Sequence, residues 1–317
     1  SYYKNWLKVR IGSVLYLYGA EITVFLMDFM RQFLKYPKQG LLGILLLSCS
    51  FLSAQPNTSI ELTKPEKYQS RLLPAEKTGN KKFSVPKRIY NNTVSHYNYY
   101  YNASVKLTDI IIAAKTQHKE DYTLLLPFYN YSLNETAKGQ IDSVIYKCTA
   151  GILLHDLRSD WVDQMYLLMG NAYMHRKDFD SAAWVFNYIN YAFAAKDEGY
   201  DLPIGSNVSS KGGTFSVSTD EKRNFWKKIS SPKPARNESF LLQSRNFIEQ
   251  EKLAEAEALL QVLAADKFFP ERLKTTWNEY NAYLLYKENQ YDSAAFYLSK
   301  ALPNAQSKLE LARWEYL

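Results

Sequence analysis

The chain has 317 residues, of which 46% are hydrophobic and 22% charged, so it can bury a sizeable core. Its formal net charge of +7 at pH 7 first suggests a nucleic-acid partner, but residues 1–48 alone carry six Lys/Arg against two acids. The rest of the chain is therefore only about +3 (7 − 4), which is ordinary for this length. We expect no binding to nucleic acid.

Residues 30–48 have the features of a secretory signal peptide. Arg31, Lys35 and Lys38 precede an apolar run at 41–47, which is too short to span a bilayer. The sequence Leu-Leu-Ser-Cys ending at Cys49 looks like a bacterial lipobox, which predicts lipid attachment at Cys49 and a membrane-anchored protein. The alternative is plain cleavage after Ala54.

Residues 1–29 do not fit the start of a signal peptide. They are apolar from Ile11 to Phe29 but are interrupted by Glu21 and Asp28. We expect an upstream extension from an over-long reading frame, with the true start at one of two nearby methionines, Met27 or Met30. An additional membrane segment is the alternative.

The next part of the chain divides into a tether and a helical region. Residues 49–90 are polar and rich in Pro and Lys with weak periodicity, which predicts a tether. Residues 91–158 are predicted to be helical, from an apolar stripe over 95–117, the stretch 122–131 and a helix at 141–154. This region has the character of a degenerate helical repeat.

Two distant segments carry nearly the same residues: Phe-Asp-Ser-Ala-Ala at 179–183 and Tyr-Asp-Ser-Ala-Ala at 291–295. Such repetition is typical of tetratricopeptide units, in which two helices form a hairpin and small residues mark their crossing. The first unit, 159–194, matches this pattern at four positions: Gly170, Tyr173, Ala182 and Phe186. Gly and Ala are expected where the helices cross because larger side chains would hold them apart.

Further units are predicted over 238–317. Ala256 takes the small position of the second unit, and Ala282 and Ala294 take those of the third. A fourth unit begins near Ser307 and stops within a helix, so we expect the repeats to be truncated.

Ala182 and Ala256 are 74 residues apart (256 − 182), whereas Ala256 and Ala294 are 38 apart (294 − 256). The excess lies in an insertion loop, 195–237, which is rich in turn-forming residues. We expect a disordered surface insertion, with a partner-binding loop as the sharper alternative because long loops in compact proteins are often functional. Its basic residues favour a solvated loop over a phosphate-binding patch. The predicted fold is all-α: tetratricopeptide-type helical hairpins stacked as a right-handed solenoid with a long irregular insertion.

No constellation of residues indicates catalysis, a metal or a cofactor. The four histidines are scattered, and Asp156, Asp160 and Asp163 are expected to lie at a helix N-terminus. Cys148 lies on an apolar helix and is predicted to be a buried structural thiol. Tyrosine makes up 26 of the 317 residues, and the cluster at 97–101 is too dense to face one core, so some rings should be exposed.

An ordered set of segments resembles the tetratricopeptide lipoproteins of the Bacteroidota type IX secretion and gliding-motility apparatus, the PorW/SprE family. Beside Cys49 and the tyrosine cluster at 97–101, the likeness is carried by residues 143–147, 151–157, 166–170, 176–182, 203–207, 269–273 and 311–315. It covers roughly residues 30–317 and departs from the family in the 29-residue N-terminal extension.

The resemblance implies a non-enzymatic lipoprotein of the cell envelope, held in the outer membrane by its N-terminal lipid and facing the periplasm. Its partners would be components of the secretion apparatus, the periplasmic ring and the outer-membrane translocon. The alternative is a SusD-like glycan-binding lipoprotein, which would need an exposed aromatic platform beside Asn, Asp or Arg.

Overall fold

The computed structural model describes residues 60–78, 82–193, 218–221 and 231–317, all within one compact unit, Thr58–Leu317. Across these ranges the regular structure is helical throughout, without a β-strand, which confirms the all-α class. The predicted extension, signal peptide and Cys49 lie outside the described residues, as does most of the insertion.

The N-terminal part is built on one long helical stretch and a second helix beside it. Its elements are α1 (Val85–Val94), a π-helical segment (Ser95–Tyr101), α2 (Asn102–Gln117) and α3 (Glu135–Leu153). The π-helical segment holds the tyrosine cluster, in which Tyr97 is 60% and Tyr101 is 55% exposed. The expectation that some of these rings are exposed is confirmed.

The predicted tether is packed where the structure describes it. Leu73, between two short 3₁₀ turns at Glu66–Tyr68 and Ala75–Lys77, is fully buried against Leu153 of α3. Helix α1 then begins at Val85, with Pro86 in its first turn, where a missing N–H costs no hydrogen bond. Residues 60–78 and 82–90 therefore belong to the folded unit and not to a free tether.

Residues 118–134, between α2 and α3, are not helical. This corrects the expectation that 122–131 contributes a helix to the N-terminal region. Pro127 lies in the middle of the stretch, where it lacks an N–H and disfavours helical backbone at the residue before it. The backbone instead runs irregularly, and Leu126, Phe128 and Leu133 are buried.

Three helical hairpins and a final helix follow. The described helices are α4 (Val162–His175), α5 (Phe179–Ala192), α6 (Arg236–Glu249), α7 (Leu253–Ala265), α8 (Lys274–Lys287), α9 (Tyr291–Ala301) and α10 (Lys308–Tyr316). The hairpins are α4/α5, α6/α7 and α8/α9, and α6 also packs against both α4 and α8. The second unit thus begins at Arg236, inside the predicted insertion.

All three hairpins turn in the same way. Each connection has three residues, and its middle residue is left-handed: Lys177, Glu251 and Asn289 have φ values of 67°, 60° and 61°. The N–H of each middle residue donates to the carbonyl three residues back, and the next N–H donates to the carbonyl five residues before itself. This is the hydrogen-bond pattern of a Schellman motif, which closes the last turn of a helix.

The helices of the first hairpin cross at a glycine. A Cβ atom added to Gly170 would lie 2.6 Å from Cε1 of Phe186 on the facing helix, and Phe186 is fully buried. Tyr173 is half-buried beside this crossing. The small residues of all three hairpins are buried: Ala182, Ala256, Ala282 and Ala294.

Candidate functional site

Residues 118–134 pack against four helices: α4, α6 and α8, which are the first helices of the hairpins, and α10. We call this set of helices the first-helix face, and residues 118–134 the docked segment. Leu126 and Phe128 of the docked segment are 5% and 3% exposed, although the segment has no regular secondary structure. Burial on this scale shows that the segment is packed against the face at Leu126 and Phe128, whereas Tyr122, Leu124 and Leu125 are exposed.

The face holds the backbone of the docked segment through three consecutive carbonyls. The hydroxyl of Tyr286 on α8 donates to the Leu126 carbonyl. The guanidinium of Arg313 on α10 donates to the Pro127 carbonyl and, at 2.7 Å, to the Phe128 carbonyl. The Arg313 side chain is only 7% exposed, so these hydrogen bonds form out of bulk water, where an unmade one would be costly.

Arg313 also joins the beginning of the docked segment to α10. Its Nε lies 2.6 Å from Oε1 of Glu120, whose side chain is 15% exposed. One turn earlier on α10, Glu310 accepts from Nζ of Lys115, at the end of α2, at 2.7 Å. These two ion pairs connect positions that are more than 190 residues apart in the sequence.

Phe128 fills an aromatic pocket on the first-helix face. Its ring centroid lies 5.0 Å from that of Tyr283, 5.7 Å from that of Tyr286 and 6.5 Å from that of Trp314. Aromatic pairs at such separations contribute beyond the area they bury. The docked segment therefore lies between α8 and α10 and supplies part of their common core.

An arginine on α6, Arg245, has a side chain that is 11% exposed and organises the next part of the docked segment. Arg245 donates from Nη2 to the Tyr131 hydroxyl at 2.7 Å, and its Cζ lies 4.2 Å from the centroid of the Tyr129 ring. The Tyr129 hydroxyl donates to Oε1 of Glu279 at 2.9 Å. Burial raises the pKa of both tyrosines above the ordinary value, so their hydroxyls stay protonated at neutral pH.

Behind Tyr129 and Tyr131 lies a polar cavity of about 190 Å³. His175 on α4 forms part of its wall, and burial followed by the charges of Arg245 and Lys115 lowers the pKa of this histidine to about 3. Ligand pockets are commonly about 300–1,000 Å³, so this space suits a few water molecules better than a drug-sized ligand. A larger cavity of about 370 Å³ is lined by residues of the docked segment and of α4, α6 and α8, so the docked segment does not fill all the space beside the face.

Of the three aspartates predicted to lie at a helix N-terminus, Asp163 lies in the first turn of α4, and Asp156 and Asp160 lie before the helix; all three join elements together. Asp156 accepts from Lys87 and Arg158, which ties α1 to the start of the first hairpin. Asp160 and Asp163 hold the end of the insertion, since Asp160 accepts from Ser231 at 2.6 Å and Asp163 from the Ala235 N–H at 3.0 Å. Burial raises the pKa of Asp163 to about 7.

The remaining candidates from the sequence are structural or isolated. Cys148 is fully buried, which confirms the predicted structural thiol, and burial raises its pKa to about 12. The histidines lie apart, and the described residues contain no group of three or more His, Cys, Asp or Glu side chains placed to hold a metal ion. Arg245 and Arg313, which hold the docked segment, were not identified from the sequence because a lone arginine on a helix carries no signal of burial.

Comparison with known proteins adds no identification. No protein-family model matches the chain, and no curated protein sequence matches it. Among the described helices, none combines the length and the apolar character needed to cross a membrane. The function of this protein is therefore inferred from its residues and their geometry.

Proposed function

We propose that this protein is a non-enzymatic scaffold lipoprotein that supports type IX secretion and gliding motility through protein–protein contacts. The hairpins would be tetratricopeptide-type repeats stacked as a right-handed solenoid. Cys49 would carry the lipid that holds the protein in the outer membrane, facing the periplasm. Its partners would be the periplasmic ring and the outer-membrane translocon of the secretion apparatus.

The repetition of one hairpin geometry carries this proposal. Three hairpins share the same left-handed turn residue, at Lys177, Glu251 and Asn289, and bury an alanine five residues later. Stacked helical hairpins of this kind offer an extended surface, which such proteins use to hold other proteins. The resemblance of the ordered sequence segments to the PorW/SprE family supports the choice of partners.

Affinity purification from a secreting host tests the scaffold role. The tagged full chain is expected to recover components of the secretion apparatus, and deletion of its gene is expected to reduce secretion. A tagged protein that recovers none of them, in a host whose secretion survives the deletion, would contradict the proposal.

A single substitution tests the lipid anchor separately. Cys49→Ala is expected to release the protein from the membrane fraction, because an acyl chain contributes about 0.8 kcal/mol per buried methylene. Cys148→Ala is the matched control, since this buried thiol has no role in anchoring. Unchanged membrane association of the Cys49 variant would refute lipidation.

A glycan-binding lipoprotein of the SusD-like type is the second candidate. It is favoured by the exposed rings of Tyr97 and Tyr101 beside Asn98 and Asn102, since aromatic rings commonly stack on sugars. Isothermal titration with oligosaccharides discriminates between the two. Saturable binding that is lost in a Tyr97→Ala/Tyr101→Ala variant would support the glycan candidate and count against the scaffold.

A further inference from the structure

We propose that an exposed apolar face on the long helical stretch of α1, the π-helical segment and α2 is an interface between two copies of this chain. The two copies would lie antiparallel about a two-fold axis. We call this face the apolar stripe, and its members, which are 40–71% exposed, are Val85, Ile89, Tyr97, Tyr101, Val105 and Ile112. The inference goes beyond the proposed scaffold role and does not depend on it.

The π-helical segment keeps the apolar stripe on one side of the helical stretch. In an unbroken α-helix, the 27 positions from Val85 to Ile112 (112 − 85) would make about 7.5 turns, which would place these two side chains on opposite sides. The π-helical segment turns less per residue and takes back much of that rotation. The buried residues of the same stretch accordingly form a second continuous line: Asn91, Ser95, Ala103, Leu107 and Ile110.

The exposed apolar area of the stripe matches one side of a protein interface. Tyr97, Tyr101 and the neighbouring Tyr90 are 55–67% exposed and present on the order of 400 Å² of side-chain surface. The aliphatic side chains raise this to roughly 700 Å², which is more than the largest apolar patch of a typical monomer. A stable complex takes about 800 Å² from each partner, so the area suits a protein partner.

Charged side chains are few along the stripe. The two cations of α1, Lys87 and Arg88, form ion pairs with Asp156 and Asp160 of the folded unit. Depletion of charge together with enrichment of tyrosine is typical of the core of a protein interface, whereas a helix that lies on a membrane carries Lys and Arg on its polar face. The other exposed positions between Val85 and Ile112 are Pro86, Thr93, Asn98, Asn102, Thr108 and Asp109.

The ends and the centre of the stripe match those of a second copy. In an antiparallel pair centred near residue 99, Val85 of one copy comes opposite Ile112 of the other, because the two are almost equally far from the centre. Tyr97 comes opposite Tyr101 for the same reason. Each of these contacts occurs twice, as a two-fold interface requires.

The gaps of the stripe are filled in the same register. Its widest gaps are the eight residues from Ile89 to Tyr97 and the seven from Val105 to Ile112. Val105 of one copy comes over the middle of the first gap, and Ile89 of the other copy over the middle of the second. The exposed residues there are the small Thr93 and Thr108, which leave room for these side chains. This mutual fit is the reason for choosing a second copy as the occupant.

Sedimentation velocity on the full chain tests the association. All proteins carry Cys49→Ala, so that a lipid cannot bring copies together. We expect twice the mass of the single chain at high micromolar concentration, with dissociation on dilution. Tyr97→Glu/Tyr101→Glu should raise the dissociation constant of the dimer at least tenfold, because it places four carboxylates at the centre of an apolar interface.

A matched variant separates this result from a general effect of charge. Leu124→Glu/Leu125→Glu adds the same two charges outside the stripe, at side chains that are 69% and 67% exposed, and should leave the dimer intact. Both variants should keep the helical circular dichroism of the parent, since all four replaced side chains are exposed. A parent protein that stays monomeric at every concentration, or equal weakening by the two variants, would overturn the proposal.

Cross-linking tests the register without a charged substitution. Val85→Cys and Ile112→Cys are made in separate proteins that carry Cys49→Ala, and the remaining Cys148 is fully buried. A short bismaleimide should link the two proteins when they are mixed, because residue 85 of one copy lies opposite residue 112 of the other. Neither protein should link to itself, since like residues lie at opposite ends of a stripe about 40 Å long.

The cross-linking outcomes also identify the occupant. Linkage in the mixture alone supports the antiparallel pair, whereas strong self-linkage of each protein would indicate a parallel pair and overturn the proposal. A monomeric, unlinked protein that binds phosphatidylcholine vesicles through Tyr97 and Tyr101 would assign the stripe to a membrane surface and would equally overturn it. These readouts use purified protein, so they are independent of the secretion assay.

Discussion

At the level of single residues, the crossing of α4 and α5 at Gly170 makes a sharp prediction. Gly170→Ala is expected to destabilise the protein by about 1–3 kcal/mol, because the new Cβ would lie 2.6 Å from the buried Phe186 ring. Gly139→Ala on α3 is the matched control, since a Cβ there meets nothing within 4 Å. The control should be stabilised by up to about 1 kcal/mol, as alanine is the better helix former. Urea denaturation gives both values.

A contrary result would be informative at the same crossing. If Gly170→Ala were as stable as Gly139→Ala, the helices could separate at no cost, and the close approach would not matter. Adding Phe186→Leu to Gly170→Ala should recover part of the lost stability, because the shorter side chain makes room for the methyl group. The two changes are in contact and are therefore not expected to add.

Two ionisable residues with shifted pKa values, Asp163 and His175, are expected to give opposite pH dependences. Asp163, with a pKa near 7, keeps a proton in the folded state that the unfolded state releases near pH 4, so its contribution to stability falls as pH rises through this range. His175, with a pKa near 3, stays neutral when folded, so its contribution falls as pH drops below about 6.5. Each contribution to the free energy of unfolding changes by up to about 1.4 kcal/mol per pH unit, and the two changes largely cancel between pH 4 and 6.5.

Single variants separate these slopes. Asp163→Asn leaves the histidine, so the free energy of unfolding should decrease from pH 6.5 to 4. His175→Gln leaves the aspartate, so the free energy of unfolding should increase as the pH falls from 6.5 to 4. Denaturant titrations at four pH values measure both, and parallel profiles in the two variants would show that neither group titrates as its burial requires.

At the level of secondary-structure elements, the hairpin turns offer a test with internal comparison. Left-handed backbone costs a non-glycine residue roughly 1 kcal/mol, so glycine at Lys177 or Glu251 should stabilise the protein by about 0.5–1 kcal/mol. Asn289→Gly should gain least, because asparagine already tolerates this conformation. Thermal unfolding of the three variants measures the ranking. A loss of stability in the Lys177 and Glu251 variants would mean that the native side chains stabilise the turn by more than the left-handed backbone costs.

The elements that could be predicted from the sequence are those whose signals are local. Small residues at a fixed spacing and the repeated Asp-Ser-Ala-Ala segments predicted helical hairpins where α4/α5 and α8/α9 lie. The docked segment was missed because its tyrosines resemble those of the neighbouring helices, whereas Pro127 and the long-range contacts determine its conformation. Arg313 binds the Phe128 carbonyl across 185 residues, and no local pattern specifies such a pairing.

At the level of the whole molecule, the docked segment connects the two ends of the described helical array. It leaves α2, crosses α8 and α10, and returns to α3, so the last helix is held by residues from the first half of the chain. Contacts of such large sequence separation form at a high entropic cost and slow the folding of small domains. Because Arg313 on α10 binds the docked segment directly, we expect α10 and the docked segment to be stabilised together.

Arg313→Met tests this coupling. The variant is expected to lose about 3–5 kcal/mol of unfolding free energy, because the largely buried Glu120 carboxylate loses its guanidinium partner and keeps only His118 Nε2, at 3.4 Å. Hydrogen exchange should accelerate in 118–134 and in α10 together, with α4 and α5 protected. Adding Glu120→Gln should restore part of the loss, since the unpaired charge is removed.

An exposed pair supplies the control for this prediction. Lys274→Met removes a partner of Glu271, but the two side chains are 56% and 83% exposed, so the loss should be below about 1 kcal/mol. If Arg313→Met lowers the free energy of unfolding by no more than Lys274→Met does, the buried contacts of Arg313 contribute little to stability. Exchange confined to α10, with the docked segment still protected, would show that Phe128 and the contacts of Arg245 with Tyr129 and Tyr131 hold the segment without help from the last helix.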